Sequence, residues 1–279
     1  MLNYTTAGNN STMQMQKGLP GNFLKIFAAL TMLIDHAALT LVYAKLAQSK
    51  EYLDIIFSAE PTAEQLAAIP ADYLNLYSVY TIMRLVGRLA FPIFCFLLYE
   101  GFSHTSNLKR YLLRVGLCAL VSEIPFNLVV SKLNTGTASL FYPQLQNTVC
   151  TLFLILLMFC GMKYFEAKEF TSKAAIRQMI GQILCVCAAL AVSLFARVDY
   201  TYYGVLLGMI FYYCRTSRKM QIILGCIVFI GVNIASLLAF VPIAMYNGTL
   251  IISKKFKYFF YIFYPVHLLM LYLLSLLIR

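Results

Sequence analysis

The chain has 279 residues, 61% of them hydrophobic and 12% charged, with a mean hydropathy of +0.76. A water-soluble domain carries about 25% charged residues, so a soluble enzyme or binding module is excluded. The net charge of +11 does not mark a nucleic-acid partner, because the basic residues sit in short loops without an aromatic-interleaved platform and such loops set membrane orientation instead.

Residues 1–22 form a polar tail with a single charge, Lys17. The long apolar run that follows has no small-x-small cleavage site and reads as a retained first span rather than a signal peptide. From 23 to 279 the chain reads as one transmembrane domain, an all-α polytopic helix bundle. The expectation is eight spans, give or take one, at 23–44, 77–101, 109–130, 146–164, 177–196, 200–214, 221–241 and 258–278. The span at 200–214 is short, and the run from 221 to 247 is longer than one crossing needs. The loop 45–76, punctuated by Pro61 and Pro70, carries Glu51, Asp54, Glu60, Glu64 and Asp72 and should face outside. Most Lys and Arg fall on the side of the N-terminus when Arg279 is counted there and Lys254, Lys255 and Lys257 on the other side. The positive-inside rule then gives a multi-pass protein of the cytoplasmic (inner) membrane with its N-terminus in the cytoplasm. The eight cysteines form no Cys-x-x-Cys, so neither a metal site nor a disulfide framework is expected.

The spans carry groups that hydrocarbon does not tolerate. Asp35, Arg84, Arg88 and Glu123 are charged, and His36 and His267 are titratable. Each charge facing lipid at a helix centre would cost roughly 3 kcal/mol, so these side chains must face the bundle interior or a wet cavity. At ~1.5 Å per helical residue, His36, Glu123 and Arg88 all come to roughly 20 Å from the cytoplasmic end, and His267 counts to a similar depth. Arg84 and Arg88 share a helix face. Pro92 and Pro125 follow Arg88 and Glu123 and should kink those helices. Lys25 lies eleven residues before His36, about three turns, so a surface cation stands below a buried imidazole on one face. Other candidates have two readings each. Glu100 is an interfacial carboxylate or a partner of Lys109 or Arg110; Gln146 and Asn147 cap a helix or touch substrate; His267 packs among aromatics or is a second functional histidine.

Taken in order, "LKIFAALTMLIDHAA", "MRLVGRLAFPIFCFLLYEGFSHTSNLKRYLLR", "SEIPFNLV", "QNTVCTL", "DYTYYGVLL", "YNG" and "KYFFYIFYPVHLLMLY" resemble the TraX family over nearly the whole chain. That family is associated with N-acetylation of pilin and is related to the integral-membrane acyltransferases. In that class a basic residue and, eleven positions on, a histidine mark the first span; Lys25 and His36 stand there, with Lys in place of the commoner Arg. The resemblance implies acyl transfer, of acetyl from acetyl-CoA to an amine or hydroxyl of an envelope or surface acceptor. His36 would be the general base, with Asp35 or Glu123 as its partner. Arg88 or Arg84 would stabilise the oxyanion, and Lys25, Lys109 and Arg110 would hold the phosphates of CoA. Gln146, Asn147, His267 and Glu100 are the candidate acceptor contacts. No metal takes part in this scheme. The partners it implies are the bilayer, CoA and the acceptor, and no nucleic acid.

Two other classes use the same residues. A proton-coupled transporter would employ buried Asp, His, Arg and Glu as a relay, but it should show repeat symmetry, and none is visible. A scaffold with a structural ion-pair core would leave His36 dispensable.

Overall fold

The computed structural model describes residues 18–166, 171–249 and 254–278, and the side chains of the last stretch from Tyr258. Most of the polar tail, Lys168 and Arg279 lie outside the described residues. Among the described residues, six stretches are helical, long and apolar enough to cross a bilayer: Gly21–Ile56, Ala71–His104, Leu108–Thr135, Thr148–Phe165, Ser172–Phe195 and Tyr258–Ser275. The expected all-α bundle is what the chain forms, and no named strand occurs among the described residues.

The first stretch consists of α1 (Gly21–Ala37), a turn of π-helix (Ala38–Val42), α2 (Tyr43–Leu46) and, after a 3₁₀ turn, α3 (Lys50–Ile56). Its near end lies where Gly21 begins, and its far end leads to α4 (Ala63–Ala67), which opens with a Thr62–Gln65 capping box. Here Leu46, Leu53, Ile69 and Tyr73 form a small cluster of their own. The chain returns through α5 (Ala71–Gly87) and α6 (Ala90–His104). Pro92 does not kink a continuous span. It sits in the first turn of α6, where its missing N–H removes no helical bond, and the break itself falls at Arg88–Leu89. Asn107 caps α7 (Leu108–Thr135), which keeps Pro125 inside one helix and ends at Gly136 in the left-handed conformation, φ 76°.

The next segment does not stay at the far surface. Ser139 N–H bonds Ser131 Oγ at 2.7 Å, Asn127 Nδ2 bonds the Leu140 carbonyl at 3.0 Å, and Asn147 Nδ2 bonds the Ala119 carbonyl at 2.9 Å. The chain therefore descends along α7, and α8 (Thr148–Phe165) starts roughly 20 Å above the near end. Helix α9 (Ser172–Phe195) climbs back, and α10 (Thr201–Tyr213) descends from the same depth, because Gln146 bridges Val198.

The span expected at 221–241 is corrected by the structure. Helix α11 (Arg218–Ile230) stops after about 20 Å, and Asn233 caps a 3₁₀ segment, Ile234–Ala239, that leads into α12 (Phe240–Ala244) and runs back. The Phe240 ring occupies the space beside Gly225 that a side chain there would fill, and Tyr246 returns to Leu19 and the Phe96 ring, 5.2 Å away. One span has become an ascent and a descent. As a result α13 (Lys254–Ser275) runs parallel to α7: Cys118 Sγ meets the Tyr261 carbonyl at 3.5 Å low in the pair, and Lys132 Nζ meets Ser275 Oγ at 3.3 Å high in it. Lys254, Lys255 and Lys257 thus belong to the near end and Ile278 to the far end, opposite to the assignment from sequence, and the basic bias of the near end grows. A topology reporter such as alkaline phosphatase fused after Ile278 is expected to report the side opposite to one fused after Thr105. The same side for both would refute the parallel α13.

Phe91, Phe96, Phe159, Phe211 and Phe229 are fully buried at the centre. Outward faces carry apolar rows, Phe259–Ile262–Val266–Leu269–Leu273–Leu277 on and just past α13 and Met220–Ile223–Ile227–Ile230 on α11, as lipid contact requires.

Candidate functional site

Of the side chains that the helical rise places at one depth, the two histidines meet. His36, near the end of α1, and His267, on α13, stack with ring centroids 4.9 Å apart, and His36 Nδ1 lies 2.6 Å from His267 Nε2. On its other edge His267 Nδ1 is 2.8 Å from the Phe263 carbonyl. A carbonyl only accepts, so His267 Nδ1 carries a proton. In the neutral ring Nε2 then accepts, and His36 Nδ1 must donate to it. This chain of donors leaves the lone pair of His36 on Nε2, the edge turned away from its partner. Beyond His36 the helix widens into its π-turn, within which the Thr40 hydroxyl bonds the His36 carbonyl at 2.7 Å. Such bulges recur at functional sites.

Asp35 does not orient His36. It pairs with Arg84 at 2.6 Å, both side chains being four-fifths buried or more. The reason is the one helical geometry dictates: neighbours on a helix diverge by about 100°. Gly87 makes room for this pair, since a Cβ there would overlap the Asp35 side chain. Arg88, at the α5–α6 break, approaches Tyr200 and lies within electrostatic reach of Asp35 and Asp199. Asp199 accepts from the Thr148 hydroxyl at 2.6 Å and from Tyr200 N–H at 2.9 Å, while its carbonyl takes the Thr151 hydroxyl at 2.5 Å. These bonds hold a turn in which Arg197, Tyr200 and Thr201 all have positive φ (51°, 59° and 38°), conformations that non-glycine residues adopt at a cost and that cluster at functional sites.

The remaining candidates divide. Glu123 reaches the same depth but turns to α8: its Oε1 accepts from Asn147 N–H at 2.9 Å, from Asn147 Nδ2 at 2.6 Å and from the Cys150 thiol at 3.3 Å. Asn147 in turn caps Val149 and Cys150, so the pair anchors a helix start inside the bundle. Neither Asp35 nor Glu123 is the partner of His36. His267 is. Gln146 N–H bonds the Arg197 carbonyl at 3.1 Å. Glu100 lies far below, buried, 3.8 Å from Arg218 rather than against Lys109 or Arg110. Lys109 and Arg110 are exposed at the near end.

One cavity, of about 350 Å³, leads from the near end toward this layer. Lys25, His104 and Arg114 line its lower part, Cys118 and Leu152 its middle, and Thr148 and Tyr264 its upper part. Lys109 and Arg110 do not line it; Arg114, one turn further along α7, does. Among the described residues no group of histidines, cysteines and carboxylates is arranged to hold a metal ion.

Asp199 is missing from the sequence candidates because 197–199 reads as a surface loop between spans, and Tyr200, Thr148 and Tyr264 because a neutral polar side chain inside a predicted span carries no charge to single it out. The signal was the shortness of 200–214. A helix of 13 residues covers about 20 Å, so one of its ends lies within the bundle.

Helices long enough to cross a bilayer, with a histidine pair and compensated charges at mid-depth above a basic-mouthed cavity, define a polytopic membrane protein with a polar, titratable layer inside its bundle. The profile of the TraX family, described as "TraX protein", matches residues 20–275, and the chain belongs to that family. It is similar to a "Probable fimbrial assembly protein FimC, serogroup H1" of Dichelobacter nodosus, 24% identical over 213 residues that cover 69% of this chain and 82% of that protein. No solved structure matches.

Proposed function

We propose that the protein is an acetyl-CoA-dependent acyltransferase of the cytoplasmic membrane, with its near end in the cytoplasm, acting on an amine or hydroxyl of an envelope or surface acceptor. The observation that carries this reading is the cavity that begins at Lys25 and Arg114 and reaches Tyr264, whose ring stands edge-on to both imidazoles, 6.2 Å from His36 and 5.6 Å from His267. Lys25 and His36 are about 16 Å apart along α1, a length that an extended pantetheine arm spans. The residues fit the donor: cations for phosphate low down, apolar walls for the arm, polar groups at the upper end. The nucleotide would lie outside, against the basic near surface. The bias of Lys and Arg toward that end supports a cytoplasmic mouth.

In this reading His36 Nε2 takes the proton from the acceptor as its nitrogen or oxygen bonds to the thioester carbonyl carbon. The proton is then returned to the sulfur as the C–S bond breaks. His267 holds the ring in the reactive tautomer and shares the imidazolium charge through the 2.6 Å contact. The name of the FimC relative makes a fimbrial subunit the first acceptor to try.

The test is CoA release from acetyl-CoA by the purified chain in nanodiscs, with and without envelope extract. Release that rises with extract supports transfer, and absence of acetyl-CoA binding by the folded chain refutes it. The double variant Lys25→Gln/Arg114→Gln is expected to raise KM for acetyl-CoA about tenfold or more, the worth of a charge-assisted contact, and to leave kcat largely in place. An unchanged KM would remove the cavity from the donor path.

A further inference from the structure

Tyr264 is 6% exposed, lies on the cavity wall, and its hydroxyl has no hydrogen-bond partner. It approaches Thr148 without an ordinary hydrogen bond, and the Thr148 hydroxyl already gives its proton to Asp199. A buried, unpaired hydroxyl destabilises a fold by about 1–3 kcal/mol, and each instance asks for a reason. Phenylalanine would fill the same space without that penalty.

The surroundings supply a reason. The ring of Tyr264 lies edge-on to the two histidines. Thr148, beside it, is the first residue of α8, whose amino end, with its partial positive charge, stops inside the bundle. Pro265 follows directly. Having no N–H, it leaves the Tyr261 carbonyl unpaired within the helix, and Cys118 takes it at 3.5 Å. The turn that carries Tyr264 is thereby tied to α7 across the cavity.

Resting on the acyl-transfer reading, we infer that Tyr264 is a catalytic residue whose hydroxyl donates a hydrogen bond to the carbonyl oxygen of the acyl donor. As the acceptor's nitrogen or oxygen bonds to the carbonyl carbon, the C=O π pair moves onto that oxygen, and the Tyr264 O–H faces the new negative charge. When the carbonyl re-forms, the C–S pair leaves with sulfur and takes the proton held on His36. Tyr264 loses no proton at any stage. The donor is a neutral group placed where charge develops, in surroundings with little water, the arrangement in which such a bond counts most. It also relieves Arg84 and Arg88 of that task, which suits their geometry, since Arg84 is already paired with Asp35 and Arg88 lies against Tyr200 and within reach of Asp35 and Asp199.

The test is Tyr264→Phe, with three readouts on one preparation: acetyl-CoA turnover, binding of unacylated CoA, and thermal unfolding. Expected are a kcat lowered about 100-fold or more, as for loss of an oxyanion donor, CoA binding within twofold of the unsubstituted chain, and a melting temperature equal or higher. A kcat within threefold of the unsubstituted chain would overturn the assignment. So would a lowered melting temperature with turnover reduced only in proportion to the folded fraction, because the hydroxyl would then be structural. Turnover and CoA binding absent from the unsubstituted, folded chain would instead overturn the acyl-transfer reading, and the role of Tyr264 with it.

Discussion

Replacing His36 by alanine is expected to lower acetyl transfer by about 10²–10⁴-fold, the range for a lost general acid–base group, while membrane insertion and CoA binding persist. The expectation rests on the direction of the donor chain. Phe263 fixes the proton of His267, His267 fixes that of His36, and the only basic nitrogen left faces away from the pair. Alanine removes that nitrogen without stranding a charge, since the ring it vacates is neutral in this arrangement. His267 then loses a neighbour but keeps its bond to the Phe263 carbonyl. CoA release, measured beside donor binding on the same nanodiscs, separates lost chemistry from a lost fold. Undiminished turnover in the alanine variant would leave the histidine pair without a catalytic role and return it to packing.

The second large effect is on stability. Arg84→Leu leaves Asp35 buried without its partner, and Asp35→Leu does the same to Arg84. Breaking one side of a buried pair costs about 3–5 kcal/mol. The double variant Asp35→Leu/Arg84→Leu is expected to recover most of that loss, because apolar side chains in place of a whole buried pair are often tolerated. The chain contains no tryptophan, but Cys95 and Cys118 are buried thiols, so a thiol-reactive dye follows their exposure on heating. Losses that simply add in the double variant would mean that the 2.6 Å contact carries no coupling. Glu123 gives a useful contrast. Its carboxylate is held by Asn147 and Cys150 rather than by a guanidinium, so restoring it requires a hydrogen-bond acceptor and not an apolar residue.

Depth was the part of the site most legible in the sequence. A fixed rise per residue brings His36, Arg88 and Glu123 to one layer, and the structure has them there; His267 joins them although its count starts from the wrong end of α13, because it lies near the middle of its span. Pairing was much less legible, because depth says nothing about azimuth: Asp35 turned to α5, Glu123 to the start of α8, and His36 to α13. One reversal was also miscounted. Ile234–Ala244 is apolar and continues the hydropathy of α11, so 221–241 reads as a single crossing, although Gly231–Asn233 turns the chain around. With that turn missed, α13 acquired the wrong direction and Lys254–Lys257 the wrong side. Asp199 was hidden in a similar way, since a loop at mid-depth is written in the same residues as one at the surface.

The two lipid-facing rows differ in height. From Phe259 to Leu277 the apolar face is about 27 Å tall, close to the ~30 Å of a bilayer's hydrocarbon core, whereas from Met220 to Ile230 it is about 15 Å. A belt that is tall on one flank and short on the other does not match a bilayer of uniform thickness. Lipid beside α11 and α12 must thin locally, or that flank must meet another apolar surface, and mismatch costs fractions of a kcal/mol for every ångström. The protein is therefore lopsided to its membrane. Its preferred surroundings are a thinner patch of lipid, or a neighbour that shares the short side.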